Sequence, residues 1–374
     1  MPDFSKVDAL VANGISDGVF PGAVYAIGQR GGVVHLKSAG RYMYCPDSPS
    51  VKTDTMWDMA SCSKVVGCTS AAMILFDEGK LKLDEKIIEV LPEFGQNGKD
   101  KITVRNLLLH NSGLVADLAN VPQYKTAESF MQGVYASKLK YPTGTDMVYS
   151  DLSMITLGKM IEKITGVSLD QFVKERVFSP LGMKDTMYNV PSDLRQRVAP
   201  TEDVEPWRTA LRKSRHQDFS PLPGCHPDAH LYVQGEVHDP SADVLDGISG
   251  NAGVFSTAPD LCTFVQMMMN SGNHNGHQII KSETIHEWTR RQSEESSRAL
   301  GWDTPSGRSS AGHKLSRKSF GHTGYTGTSI WADPDHDIFV ILLTNRVHPS
   351  SKNEKIISFR PRFHDTIAEA FGLT

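Results

Sequence analysis

Ser61-Cys62-Ser63-Lys64 lies between an apolar stretch, Thr55-Met56-Trp57-Asp58-Met59-Ala60, and a helix-like run from Lys64 to Glu78. On a helix, residues three apart share a face, with Cβ atoms about 5–6 Å apart. A hydroxyl and an ammonium are therefore presented together at a helix N-terminus, where the macrodipole favours the negative charge that develops in acyl transfer. The spacing points to Ser61 as a nucleophile and to Lys64 as the group that helps remove its proton. Alone the signal is weak, since a serine and a lysine three apart occur about once by chance in a chain of ordinary composition. A second match, Ser137-Lys138-Leu139-Lys140, reads as a solvated helix end.

The chain has 374 residues, enough for a large core and two lobes. Its formal net charge of −4, with charged residues interspersed among apolar ones, gives no electrostatic reason to expect nucleic acid or an anionic membrane as partner. No apolar run is long enough to span a bilayer. Met1-Pro2-Asp3-Phe4-Ser5-Lys6 lacks the basic start, apolar segment and small-residue site of a signal peptide. It reads as the start of an amphipathic helix (Phe4, Val7, Leu10, Val11). The expected location is cytoplasmic, or periplasmic or secreted if an export signal has been removed. The five cysteines (Cys45, Cys62, Cys68, Cys225 and Cys262) have no metal-knuckle spacing, and no disulfide framework is expected.

Farther along, Gly22–Gly28 and Val33–Lys37 flank Arg30-Gly31-Gly32 as a hairpin. Periodic apolar positions predict helices over Val104–His110, Ala127–Leu139, Leu152–Thr165 and Leu169–Val177, then near Pro259–Asn270, Ser282–Arg291 and Asn353–Phe371. Strand texture returns at Thr328–Ala332 and Ile338–Thr344. The stretch from Asp203 to Pro240 is rich in Pro, His and charge and reads as a long irregular excursion, of a kind that often forms a binding loop. The fold class is α/β (α+β): an antiparallel sheet from both chain ends, flanked by helices. Residues 1–79 and 247–374 form the sheet lobe, and 80–246 a mainly helical lobe with the irregular segment at 203–240. A cleft between lobes is a preferred ligand site.

Two further segments supply chemistry. Tyr149-Ser150-Asp151 precedes the Leu152–Thr165 helix; a phenol titrates near 10, and a neighbouring ammonium favours its anion, so Tyr149 can accept the serine proton and return it. The plain alternative is a half-buried tyrosine beside an aspartate N-cap. Gly321-His322-Thr323-Gly324-Tyr325-Thr326-Gly327 leads into a strand. There an N–H near Tyr325 can share an oxyanion with that of Ser61, while His322 and Thr323 bind a substrate carboxylate or pass protons. The plain alternative is a glycine-rich turn with a surface histidine.

In this order the three segments resemble the SxxK, YxN-like and (K/H)TG-like motifs of serine hydrolases related to class C β-lactamases, which include DD-peptidases, D-aminopeptidases and lipolytic esterases. Supporting likeness comes from Ile102–Leu114 (ITVRNLLLHNSGL), Gly250–Thr257 (GNAGVFST), Leu343–Pro349 and His238-Asp239-Pro240, so it covers nearly the whole chain. The resemblance implies a β-lactamase/transpeptidase-like fold and a covalent route. Ser61 attacks, Lys64 and Tyr149 manage protons, two backbone N–H groups hold the oxyanion, and water releases the acyl group. No metal or organic cofactor is implied, and the partner is a small ester, amide or β-lactam.

Two departures bear on substrate. Asp151 stands where β-lactamases of this class have asparagine; a carboxylate only accepts hydrogen bonds, and it can hold Lys64 protonated and shift the base role to Tyr149. His322 replaces the lysine of efficient β-lactamases, losing a fixed charge for a β-lactam carboxylate, which Arg346 restores in part if it faces the cleft. Small carboxylic esters or D-amino-acid amides therefore fit better than proficient β-lactam hydrolysis. The rivals are a β-lactamase or DD-carboxypeptidase/D-aminopeptidase, and a slow-turnover penicillin-binding sensor or scaffold, which a stoichiometric burst without a steady state would reveal. There is no Gly-x-Ser-x-Gly elbow for an α/β-hydrolase. His216, His226, His230 and His238-Asp239 are too widely spaced to suggest a metal site.

Overall fold

Helix α1 (Ser5–Ser16) leads into a hairpin of β1 (Gly22–Gln29) and β2 (Gly32–Gly40), in a computed structural model that describes residues 2–202, 233–307 and 309–374. A short strand β3 (Trp57–Asp58) and α2 (Ser70–Asp77) flank the Ser61 segment. Helices α3 (Val104–Leu108), α4 (Ala127–Ala136), α5 (Asp151–Thr165) and α6 (Leu169–Val173) follow, then β4 (Met187–Tyr188). Beyond come α7 (Pro240–Val244), β5 (Val254–Ser256), α8 (Ala258–Met269), the small pair β6 (Asn273–His274) and β7 (His277–Gln278), and α9 (Ser282–Thr289). The chain ends with β8 (Phe320–Thr323), β9 (Ser329–Asp333), β10 (Ile338–Thr344) and α10 (Ile356–Ala370).

The main sheet has the order β2-β1-β10-β9-β8, antiparallel throughout, so strands from the two chain ends meet at β1 and β10. Their register sets Ala23 opposite Thr344 and Gly28 opposite Phe339. Alternation along β1 sends Ala23, Tyr25 and Ile27 to one face, where they pack with Val7 and Val11 of α1 and Phe359, Phe363 and Ile367 of α10. Val24 and Ala26 face the other way, into the large core that contains Ala72 of α2 and Phe264 and Val265 of α8. Both faces are thus covered, which explains why β10 reads as an unbroken apolar run rather than an alternating one. A second sheet, β3-β5-β4, ties the segment before Ser61 to the Gly250–Thr257 stretch.

The match to sequence expectation is close for the hairpin and for β10. Helix ends differ by a few residues, as fraying termini do. The larger difference is at Lys64: the expected α-helix begins with a π-helical turn, Lys64–Thr69, before α2. The second serine–lysine match is a helix end, Ser137 being the C-cap of α4 with its hydroxyl donating 2.7 Å to Val134 O. The expectation of no disulfide is corrected, since Cys45 is disulfide-bonded, whereas Cys62, Cys68 and Cys262 are free and buried. Most of the Asp203–Pro240 excursion, with His216, Cys225, His226 and His230, lies outside the described residues. Among the described residues no helix is long and apolar enough to cross a membrane.

Candidate active site

Ser61 sits in a single 3-10 turn, Ala60–Cys62, between β3 and the π-helical turn. Ala60 adopts φ 44°, a left-handed conformation that a side chain disfavours. Asp58 holds it there: one carboxylate oxygen accepts the Ala60 N–H at 2.8 Å and the other the His238 N–H at 2.6 Å. Backbone strain of this kind persists only where the surroundings over-determine it, and it clusters at functional sites. Here it turns Ser61 out of the strand line at the start of the helix.

Lys64 is fully buried, and all three of its protons have partners. Its Nζ donates to Ser61 Oγ at 2.8 Å and to Asn251 O at 2.9 Å, and it forms an ion pair with Asp151 Oδ1 at 2.6 Å. The Gly250–Thr257 stretch therefore matters through its backbone. Gly250 has no room for a Cβ, which would stand 1.9 Å from Met154 O, and that close approach to α5 brings Asn251 O to the ammonium. The Asn251 side chain is tied in turn to Ser249 Oγ and Asp239 Oδ1.

Tyr149 precedes α5, whose N-cap is Ser150 rather than Asp151; Ser150 Oγ accepts the Ser153 N–H at 3.2 Å. Asp151 is the first helical residue, so its carboxylate lies on a helix N-terminus as well as on Lys64. Lys64 Nζ lies 5.0 Å from the Tyr149 ring centre, and the guanidinium carbon of Arg298 lies 5.1 Å from it. The phenol is thus flanked by two cations. Its buried hydroxyl is close to Lys64 and Ser61, although neither contact meets strict hydrogen-bond geometry.

The electrostatics follow from burial and these charges. Burial disfavours the Lys64 ammonium, but Asp151 and Tyr149 outweigh it and hold its pKa above the ordinary value. Burial pushes the Tyr149 phenol up, with Lys64 pulling it back. Burial likewise raises the Asp151 carboxyl against the pull of Lys64. His322 is driven well below its ordinary pKa by burial, then by Arg298 and Lys64, and is neutral. Its Nδ1–H donates to Thr323 O at 2.8 Å, which leaves Nε2 as a buried acceptor without a protein partner. Lys64 is thus the cation of the resting site, and Tyr149 is a neutral phenol one proton away from being a base.

His322 and Thr323 end β8, and Gly324-Tyr325 turn towards β9. This turn is clamped to the chain just before the serine: Thr326 Oγ1 donates to Asp58 O at 2.7 Å and Thr328 Oγ1 to Met59 O at 3.0 Å. A Cβ on Gly324 would lie 2.0 Å from Thr328 Oγ1 and 2.5 Å from Met59 O. Among the described residues the N–H groups of Ser61 and Tyr325 have no backbone acceptor, so the clamped segments offer two free donors. Ser61, Tyr149, Arg298, Asp303, His322, Thr323, Gly324 and Tyr325 line one cavity of about 360 Å³.

Of the residues singled out from sequence, Ser61, Lys64, Tyr149 and Asp151 form one connected cluster, and His322, Thr323, Gly324 and Tyr325 line the cavity with Ser61. Arg346 also lines it, but its guanidinium is engaged, donating to Tyr325 O, Ser351 O and Asn353 O and stacking 4.3 Å from the Tyr325 ring. Arg298 is the cavity-lining arginine whose guanidinium is not engaged among the described residues. Its Nε and Nη1 are buried without a partner among the described residues, beside Tyr149. It sits in Ser297-Arg298-Ala299-Leu300, which carries no motif, so only the fold reveals it. His238 contacts Glu202 at 2.8 Å and stacks on Tyr325, and no metal-ligand cluster occurs among the described residues.

Comparison with known proteins finds relatives in sequence and in fold. The chain is 32% identical over 366 residues to an N-acetylmuramyl-L-alanine amidase of Bacillus subtilis, covering 92% of this chain and 81% of that protein. It is 29% identical over 325 residues to a protein of Salmonella agona provisionally named a D-alanyl-D-alanine carboxypeptidase, covering 81% and 72%. In fold it is similar to a penicillin-binding protein homologue from Caulobacter crescentus, with a TM-score of 0.74 at 19% identity and coverage of 98% and 97%. The family profile described as Beta-lactamase matches residues 7–358, and with this clustered serine, lysine and tyrosine the chain belongs to the Beta-lactamase family of serine hydrolases.

Proposed function

We propose that this hydrolase cleaves small amides, first among them D-amino-acid amides whose leaving group carries a free carboxylate, through an acyl-enzyme on Ser61. The observation that carries the reading is Arg298, a guanidinium with two buried N–H groups unpaired beside Ser61 and Tyr149. A guanidinium whose N–H groups are free can receive a carboxylate. The relative from Salmonella agona is provisionally named a D-alanyl-D-alanine carboxypeptidase, a name that fits such a leaving group. Small esters share the same acyl chemistry and are secondary substrates. Arg298 would receive a β-lactam carboxylate as well, and β-lactams rank below amides in this reading because the two relatives are named for an amidase and a carboxypeptidase.

In this mechanism Lys64, held cationic by Asp151, donates to Ser61 Oγ and stabilises it as an alkoxide forms. The active ionisation state has lost the Tyr149 proton, and the phenolate, flanked by Lys64 and Arg298, takes the proton of Ser61 and gives it to the leaving amine. The Ser61 and Tyr325 N–H groups receive the oxyanion. Water then attacks the acyl-enzyme, with Tyr149 as base again. The reading includes a sheet lobe of residues 1–79 and 247–374 and a helical lobe of 80–246, with the site at their junction.

The test is a parallel panel of an N-acyl-D-alanyl-D-alanine peptide, a p-nitrophenyl short-chain ester and a chromogenic cephalosporin, with intact-mass detection of the acyl-enzyme. Ser61→Ala abolishes hydrolysis of all three and the mass adduct while the fold persists. Retained turnover in that variant refutes the assignment, and a cephalosporin rate above the peptide rate overturns the substrate ranking.

A further inference from the structure

One buried charge near the site has no part in the scheme above. Arg360, on α10, is 8% exposed and pairs with no carboxylate among the described residues. Its Nη2 instead donates to two backbone carbonyls, Gly324 O at 2.6 Å and Thr328 O at 2.8 Å. Burial draws the guanidinium down to about 10. A buried cation without a counter-ion is costly, and a packed apolar side chain would fill such a space at no electrostatic penalty.

The carbonyl it holds is informative. Gly324 C=O belongs to the same peptide unit as the Tyr325 N–H. That unit is planar and trans, so the N–H points opposite to the C=O. Anchoring the oxygen on Arg360 therefore sets the direction of the N–H. A hydrogen bond accepted at the carbonyl also polarises the unit and strengthens its donor end. The preceding peptide is tied to the same guanidinium, because Gly324 N–H donates at 2.7 Å to Thr328 O, the second acceptor of Arg360. The Tyr325 N–H is left free.

We propose that Arg360 is a positioning residue for the oxyanion: by gripping the Gly324 carbonyl it aims and polarises the Tyr325 N–H at the acyl oxygen of a substrate on Ser61. The inference rests on the reading of Ser61 as nucleophile. Its contribution is realised where negative charge builds on that oxygen, so it acts on the transition state more than on substrate binding.

The experiment uses the full chain, p-nitrophenyl acetate as substrate and phenylboronic acid as a tetrahedral mimic that adds to a serine oxygen. Thermal melts first establish that R360M and R360K fold. Losing an oxyanion donor outright costs about 10²–10³ in kcat, so misaiming one lowers kcat of R360M about 10–100-fold. KM stays within about threefold, and the boronic acid Ki rises by the same factor as kcat falls. R360K, which keeps a donor but not the planar fork, falls less and carries the test if R360M does not fold. A folded variant with native kcat and Ki overturns the proposal. So does a loss confined to KM, which marks a direct substrate contact, or a fall in kcat with unchanged boronate Ki. Intact mass of the native protein separates the two readings. No acyl adduct at Ser61 removes the nucleophile and this proposal together, whereas an adduct with unaffected Arg360 variants removes only the latter.

Discussion

Replacing Arg298 by methionine deletes the two guanidinium N–H groups that have no partner among the described residues, keeps much of the side-chain volume, and leaves Ser61 and Lys64 untouched. A hydrogen bond to a charged group contributes about 1.5–3 kcal/mol. Two such bonds to a carboxylate, offset by water entering an open cavity in the variant, leave a net loss of about 2–4 kcal/mol. At about 1.4 kcal/mol per decade this is roughly a 30- to 1000-fold fall in kcat/KM. The guanidinium also lies 5.1 Å from the Tyr149 ring, and its removal perturbs the phenol whatever the substrate. The assay therefore compares N-acyl-D-alanyl-D-alanine with its C-terminal amide, following products by mass spectrometry. Both substrates share the Tyr149 effect, of about 0.5–1 kcal/mol or a few-fold, and only the free acid suffers the larger loss. Arg298→Lys keeps the charge without the fork and falls between. Equal losses on acid and amide would refute the carboxylate anchor and restrict Arg298 to tuning Tyr149.

Tyr149→Phe lowers kcat about 10²–10⁴-fold, as loss of a general base does. Its melting temperature is equal or higher, because the deleted hydroxyl is buried without a good hydrogen bond; a large loss of stability contradicts that. Asp151→Asn removes the carboxylate that raises both Lys64 and Tyr149, so both pKa values fall and the acid limb of the kcat/KM profile moves to lower pH. An unmoved or rising limb rules out Asp151 as the tuning group. Asp117 is pushed up to about 7, by burial first and by Asp239 and Asp151 next. The folded state therefore holds that proton to higher pH than the unfolded chain, whose aspartate titrates near about 3.9. Stability falls as pH rises between the two values, and Asp117→Asn flattens that slope in melts from pH 4 to 8; parallel curves for the two proteins would contradict it.

The serine–lysine pair, the tyrosine and the HTG strand were legible because each lies in a short segment whose spacing carries its geometry. Strand β10 was legible as a continuous apolar run bounded by turn residues. The winding at Lys64 was not, since π and α turns share much of their apolar spacing and differ in how the backbone hydrogen bonds run. Arg298 and Arg360 were invisible for another reason. Each reaches the site through tertiary packing, from a loop without a motif and from the last helix, and no local pattern distinguishes them from surface arginines. Arg346 shows the converse: its place beside a strand end was legible, but not that nearby carbonyls occupy it.

The pairing of β1 with β10 has a consequence for how this protein is made. Ala23 pairs with Thr344, far along the chain, and Tyr325, proposed as the second oxyanion donor, belongs to the same late segment. A nascent chain ending at α9 lacks the sheet that supports β1 and the turn that is clamped beside Ser61. Long-range antiparallel pairing of this kind is slow to form and leaves apolar strands exposed meanwhile. Hydrolytic competence therefore arrives as a late event at the ribosome, after β10 has left the exit tunnel. Until then, on the proposed mechanism, Ser61 lacks the complete site in which it would be acylated.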